Sequence, residues 1–287
     1  MRADGDAPRA AASLVIVRDA AGGPQVLLGK RRQTQVFAPG KFVFPGGSLD
    51  AADLALRIDE QLAAAERYPL LHDQAAIMPE ALALAAIRET FEETGLLFGK
   101  PSSGVPASAA GGWPAYYAHG WAPSLASLSF IARAITPPGR TRRFDARFFL
   151  VAASAIAFDS GSHDGEFEEL VWLPFAAKDT LNLHGVTRDV IEEAARFLAL
   201  DGAARRLAPV PFYFQGEAGW QRSLIARRGG LEHFAIDVDH PDAATLAEVG
   251  SDPDLAPTRG LARMGSGPTS AATADADEVQ TALGSRE

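Results

Sequence analysis

The chain has 287 residues, 47% of them apolar, which allows one large domain or two small ones around a sizeable buried core. Its net charge of −9 argues against broad binding to nucleic acid or anionic membrane, since both need a basic surface. It has no cysteine, which excludes disulfides, thiolate metal sites and cysteine nucleophiles.

Residues 1–11 are polar and small, and read as a flexible N-terminus. ASLVIVRD (12–19) and QVLLGKRR (25–32) are rich in strand-forming residues on either side of AAGGP, which predicts a hairpin. QTQVFAPG (33–40) is a loop, and KFVFPGG (41–47) a short strand stopped by Pro45, Gly46 and Gly47. A helix is expected over 50–70, ended by Pro69. Pro79 fits the first turn of a second helix over 80–94, and Gly95 its C-terminal cap. Residues 100–114 form a small-residue loop, 124–135 a strand, 136–143 a turn with three arginines and 144–154 a strand. An acidic loop at 160–169 leads into a strand at 170–174. A helix over 186–200 carries Val186, Val190, Ala194, Phe197 and Leu198 on one side. WQRSLIA and LEHFAIDV flank RRGG and predict another hairpin. From 241 to 287 the composition turns to Ala, Asp, Gly, Pro, Ser and Thr, which predicts a disordered tail. The mixture of strands and helices gives an α+β or α/β fold without strict alternation. No apolar run reaches the roughly 18–20 residues of a membrane helix, and the N-terminus has no secretory pattern, so a cytoplasmic protein with no membrane partner is expected.

The stretch AAIRETFEETGLLFG (85–99) carries the chemistry. At about 100° per residue, Glu89, Glu92 and Glu93 project from one helix face within roughly 60° of arc. Three like charges this close repel unless a cation joins them, and an oxygen-preferring ion such as Mg²⁺ or Mn²⁺ would do so. Arg88 can pair with Glu92 one turn on. A solvated face is the ordinary alternative for such spacing. Leu84, Ile87 and Phe91 fall on another side, suited to anchoring the helix on a sheet.

The segment RETFEETGL (88–96) resembles the second half of the Nudix box, Arg-Glu-apolar-x-Glu-Glu-x-Gly-apolar, with Thr90 standing where an aliphatic residue is usual. Glu80 matches the glutamate that precedes the arginine. The Gly-Gly that should open the box is found earlier, as FPGG (44–47), so the box looks split by a helical insertion at about 48–79. That split resembles the peroxisomal coenzyme A diphosphatase-type branch of the Nudix hydrolases. The stretch 27–47 keeps the spacing of that branch's upstream signature but departs at Gly29, Arg32 and Val36, where Thr, Ser and Arg are expected.

The resemblance implies a Nudix-type α/β/α sandwich with a mixed sheet, spanning about 12–240. It implies metal-dependent hydrolysis of a nucleoside diphosphate linked to another moiety, such as coenzyme A or an acyl-coenzyme A. Glu89, Glu92 and Glu93 would hold Mg²⁺ or Mn²⁺, Arg88 would orient Glu89 or Glu92, and Gly46 and Gly47 would let the backbone approach the metal-bound phosphate. Arg31, Arg32 and Arg143 are candidate substrate-binding cations, with Arg140 and Arg142 as alternatives in the same turn. The loop at 163–174 offers Glu166, Glu168 and Glu169 as an extra ligand or base, with Glu168 or Glu169 favoured. An ADP-sugar or dinucleotide substrate, and a Nudix-fold module that binds a nucleotide without cleaving it, are the alternatives. The insertion could cover the site, build a homodimer contact or read the substrate. The six histidines show no metal spacing, Trp113, Tyr116, Tyr117 and Trp121 are read as packing, and Glu192 and Glu193 as a solvated face.

Overall fold

A computed structural model describes residues 7–71, 78–227 and, for the backbone alone, 233–236. The expected tail at 241–287 lies outside the described residues.

Strands β1 (Arg9–Arg18), β2 (Gln25–Arg31), β3 (Phe42–Val43) and β4 (Gly46–Ser48) come first. Then follow helices α1 (Ala51–Ala55), α2 (Ala64–Leu70) and α3 (Pro79–Thr94). Two short strands, β5 (Leu96–Leu97) and β6 (Gly99–Pro101), precede α4 (Trp113–Tyr117) and β7 (Trp121–Pro123). The longer strands β8 (Ser129–Ile135) and β9 (Phe144–Ala152) lead through β10 (Phe158–Asp159) to β11 (Phe167–Pro174). Helices α5 (Gly185–Ala199) and α6 (Gly202–Leu207) are followed by β12 (Val210–Gly216), β13 (Gly219–Ile225) and β14 (His233–Ile236).

The main sheet runs β11-β2-β1-β9-β8-β12-β13-β14, with β3 added on β2 and β4 on β1. The pairs β1–β9 and β8–β12 are parallel and the others antiparallel, so the sheet is mixed. Alternation along β1 builds a layer on each face. Leu14 and Ile16 join one core with Leu84, Ile87 and Phe91 of α3. Val15 and Val17 join a second core with Val190, Ile191 and Ala194 of α5. The expected α/β/α sandwich is thus the architecture observed.

Both main helices follow from local chemistry. Pro79 occupies the first turn of α3, where a missing N–H costs nothing. Gly95 ends it in the left-handed conformation, φ 78°, and donates to the Phe91 carbonyl at 2.8 Å. Thr90, fully buried at a position where the motif has an aliphatic residue, donates its hydroxyl to the Ala86 carbonyl one turn back at 2.7 Å.

Several elements differ from expectation. β1 begins at Arg9, whose N–H bonds to the Arg143 carbonyl, so residues 9–11 are paired rather than loose. The single helix expected over 50–70 is two short helices. Leu56 turns out of helical conformation to bury its side chain, and Glu60 is drawn to the N–H of Leu125 at 2.8 Å and the hydroxyl of Ser124 at 3.0 Å. Pro69 lies within the last turn of α2, one residue short of its end. The strand expected at 124–135 starts at Ser129, and the one expected at 170–174 starts three residues earlier, at Phe167. Helix α6 and strand β12 were not anticipated.

Candidate active site

The site is made where β1 changes partners. Its outer half pairs with β2, through Val17↔Val26, and its inner half with β4, through Ala12↔Gly47 and Ser13↔Gly46. This fork places the Gly46–Gly47 pair directly beneath α3. The Gly46 N–H donates to Glu93 Oε2 at 2.8 Å. A side chain at Gly47 would stand 2.4 Å from the Glu89 carboxyl carbon. The Arg88 guanidinium donates to the Ser48 carbonyl at 3.2 Å. The two halves of the split motif therefore meet in space, and Ala52, Leu56, Leu62 and Leu70 between them join the same core as α3.

Arg88 is buried, and every polar group around it accepts. Nε and Nη2 grip Asp53 at 2.8 and 2.9 Å, while Nη1 reaches Glu89 at 3.0 Å and Glu92 at 2.9 Å. Burial works against its charge, but the hydrogen bonds to Asp53 and the attraction of Glu89, Asp53 and Glu92 raise its pKa overall. Asp53 is itself only 1% exposed. It also accepts from the Trp113 indole at 3.1 Å and the Asp50 N–H at 2.9 Å, closing a capping box on α1.

Asp53 was missed at the level of sequence, where Glu80 was matched to the motif. Glu80 instead pairs with Arg67 at 2.8 Å in the first turn of α3. A signal was present: the Asp50-x-x-Asp53 pattern of a capping box, closely following the glycine pair.

Of the three clustered glutamates near the C-terminal end of α3, Glu89 and Glu93 line a cleft of about 300 Å³ and Glu92 does not. One Glu92 oxygen is held by Arg88, and the other lies against the backbone of Gly112. Burial pushes the Glu89 carboxyl up to about 7 against the pull of Arg88. Burial also holds Glu93 well above the usual carboxylate range, opposed by the Gly46 N–H. Glu92 is raised as well, chiefly by burial.

The loop before β11 supplies a third acid to the cleft, and it is Glu166. Phe167 is buried, and its ring packs so closely on Gly29 that a side chain there would stand 2.3 Å from it, which explains glycine at that position. Glu168 and Glu169 follow as exposed edge residues across a register shift, with Glu168 paired to Lys30 at 3.6 Å. The expectation was Glu168 or Glu169, but the register shift between Phe167 and Glu169 leaves both exposed at the sheet edge, and it is Glu166 that lines the cleft.

Among the candidate cations, Arg31 lines the cleft and bridges to Glu166 at 2.5 Å. It also donates to the Phe37 carbonyl at 2.9 Å. Arg32 faces solvent and holds the Gly165 carbonyl. Arg143 donates to the Thr136 carbonyl at 3.0 Å within its turn, and its neighbour Arg142 lines the cleft instead. Val36 is exposed, 61% accessible, and does not line the cleft.

The opposite wall is aromatic. The Phe37 ring lies 5.4 Å from Phe144 and 5.1 Å from His184. Burial lowers the His184 pKa to about 4, helped by Lys41 and Arg140. Trp113, Tyr116 and Tyr117 are buried as packing residues, as expected. Glu193 is a correction: it is 3% exposed and bound by Arg222 at 2.8 Å and by the Tyr213 hydroxyl at 2.5 Å, not solvated.

Among the described residues no three acids or histidines form a ready-made ligand cluster. The donor chemistry still fits a hard divalent ion. Buried carboxylates with raised pKa values face one cleft, and the side-chain-free Gly47 gives Glu89 room beside it. No helix of the described residues is long and apolar enough to cross a membrane.

No family model matches the chain. Among solved structures it is similar to a NUDIX hydrolase from Alicyclobacillus acidocaldarius, at 28% identity over 65% of this chain and 90% of that one, with a TM-score of 0.49. It is similar to a Nudix hydrolase from M. smegmatis at 18% identity, covering 67% of this chain and 86% of that one, with a TM-score of 0.38. It is also similar to a C. elegans Ap4A hydrolase binary complex at 16% identity, covering 67% and 98%, with a TM-score of 0.38.

Proposed function

We propose that the chain is a Nudix-type hydrolase that cleaves the pyrophosphate link of a nucleoside diphosphate joined to another group, using a divalent cation. One observation carries this reading: Glu89 and Glu93 from α3 and Glu166 from a distant loop face one cleft, with Gly46–Gly47 pressed against the two helix acids.

Glu89 and Glu93 would hold Mg²⁺ or Mn²⁺, with Glu92 joining if it exchanges Arg88 for the ion. Such an ion neutralises phosphate charge and acidifies water. Glu166 would accept the proton from the attacking water. Arg31, already beside Glu166, would meet a phosphate oxygen, and Arg142 would attract the anionic substrate from the rim. Arg88, locked by Asp53, fixes the direction of Glu89.

Coenzyme A or an acyl-coenzyme A is the substrate class to test first, because the upstream signature keeps its spacing and its Arg31 lines the cleft. ADP-sugars and dinucleotides are the next. A binding module without turnover is the second reading, favoured by the engagement of Glu92 with Arg88 away from the cleft. The test is purified protein with Mg²⁺ or Mn²⁺ against coenzyme A, acyl-coenzyme A, NADH, ADP-ribose and nucleoside triphosphates, with products resolved by chromatography. Release of 3′,5′-ADP and phosphopantetheine supports the coenzyme A reading. Cleavage of another substrate keeps the chemistry and discards that branch, and no cleavage of any moves the binding module forward.

A further inference from the structure

Two consecutive arginines at the end of β2 meet the loop that carries Glu166. Arg31 pairs across the sheet with Phe167, so Arg32 comes opposite the residues that precede Phe167. Side chains alternate along an extended chain, so Arg31 enters the cleft and Arg32 turns to solvent. Arg31 bridges to the Glu166 carboxylate at 2.5 Å, and Arg32 Nε donates to the Gly165 carbonyl. That carbonyl belongs to the peptide that enters Glu166. On the other side of the same peptide, the Glu166 N–H donates to Asp164 Oδ1 at 2.8 Å. The peptide plane is therefore gripped from both sides by charged groups, which make the stronger hydrogen bonds. Gly165 sits at φ 79° and, as glycine, carries little torsional restraint of its own, so the grip from outside matters.

We propose that Arg32 is a positioning residue: it holds the Gly165–Glu166 peptide so that the Glu166 carboxylate stays in the cleft when a substrate phosphate draws Arg31 away. The inference rests on the hydrolase reading above, and it gives Arg32 a role other than the substrate contact expected from sequence. Arg31 is the group a phosphate would claim, and its Nη2 already serves Gln35 at 3.0 Å beside Glu166. Once Arg31 turns to the phosphate, the direction of Glu166 depends on its backbone. Downstream, Phe167 is fixed by burial against Gly29. Upstream, the Asp164 N–H is tied to the Glu92 carbonyl at 2.8 Å. Between these two anchors Arg32 reaches in from outside the loop and fixes the one peptide that aims Glu166. Arg32 itself does not line the cleft.

The experiment uses the full chain as wild type, Arg32→Met, Arg32→Lys, Glu166→Gln and the double variant of Arg32→Met with Glu166→Gln. Arg32 is exposed, so its single variants should melt within a few degrees of wild type. Hydrogen exchange read by mass spectrometry should show residues 160–167 exchanging about tenfold faster in Arg32→Met and near the wild-type rate in Arg32→Lys. On whichever substrate the panel turns over, Arg32→Met should lower kcat about 10–100-fold with KM within a factor of about three, as for a misplaced reacting group. Arg32→Lys should restore most of that loss. On the Glu166→Gln background, Arg32→Met should cost less than about twofold more, because the group it positions is already disabled. Unchanged exchange in Arg32→Met, a rise in KM with kcat held, or a full further loss on the Glu166→Gln background overturns the proposal. Faster exchange with no turnover of any substrate leaves the grip on the loop standing and sinks the hydrolase reading alone.

Discussion

Asp53 and Arg88 meet in a two-pronged ion pair, with Nε–Oδ1 and Nη2–Oδ2 separations of 2.8 and 2.9 Å, although one belongs to the insertion and the other to the main helix. Both are almost fully buried. The pair ties the insertion to the residue that orients the α3 acids. Removing one partner of such a pair leaves an uncompensated charge and costs about 3–5 kcal/mol. Asp53→Ala should lower the melting temperature by roughly 6–20 °C, at about 2–4 °C per kcal/mol for a domain of this size. Asp53→Asn should retain more of the fold yet lose about 10–100-fold in activity, as expected when the group orienting a ligand is weakened. Calorimetry beside a turnover assay separates the two effects.

Gly47 and Gly46 should respond differently to alanine. At Gly47 the new methyl would meet only the far end of the Glu89 side chain. Gly47→Ala should therefore melt within a few degrees of wild type but lose about 100-fold in kcat/KM, the order expected for a misplaced reacting group. At Gly46 the φ of 148° and the Ala12 carbonyl 2.4 Å from the added carbon oppose the substitution through the backbone, so Gly46→Ala should fail on stability first. Equal melting temperatures for the two variants would contradict this.

Glu166 is set apart from its neighbours by where β11 points them. Glu166→Gln should reduce kcat by about 10²–10⁴, the range for loss of a general base. Glu168→Gln and Glu169→Gln should stay within a factor of a few. Kinetics on whichever substrate the panel identifies decide the matter, and a larger loss at Glu168 or Glu169 would return the role to them.

The raised pKa of Glu89 carries a pH signature in metal-free protein. Its folded value of about 7 exceeds the ordinary carboxylate value of 4.5, so the folded state binds the extra proton between these two pH values. The contribution to stability is present below about pH 4.5 and is lost as pH rises through 7. It is worth about 3–4 kcal/mol at most. Melts of wild type and Glu89→Gln in chelator should diverge with rising pH, wild type becoming relatively less stable. Mg²⁺ should reduce that divergence, because a bound cation favours the charged carboxylate. Parallel curves with and without the ion would count against Glu89 as a ligand.

Local chemistry made much of this molecule legible in the sequence. The ends of α3 follow from Pro79 and Gly95, and its sheet-facing side from the spacing of Leu84, Ile87 and Phe91. The β1–β2 hairpin follows from two β-rich runs around a glycine turn. The arginine, the paired glutamates and the glycine after them marked the helix that lines the cleft, since all sit within one continuous element. Gly46 and Gly47 were legible as a pair that lets the backbone come close to the acidic helix, and the structure shows them against Glu93 and Glu89.

The remaining features depend on contacts between segments far apart in the chain. Asp53 is the partner of Arg88 because the insertion packs into the core beside α3, which the buried Glu66–Arg227 pair at 2.6 Å and the bond from Phe130 N–H to Glu66 at 2.7 Å help to hold. Glu166 was separated from Glu168 and Glu169 by the pairing of β11 with β2, a register no local pattern specifies. Glu193 was buried by strands β12 and β13 packing over α5, so its apparent place on a solvated helix face did not survive. By itself the sequence determined which helix carries the acids and how that helix begins and ends, because caps and periodicity act within a few residues. The tertiary structure decided which acids enter the cleft and which carboxylate locks the arginine beside them, because burial and ion pairing are settled by neighbours that the chain brings together only on folding.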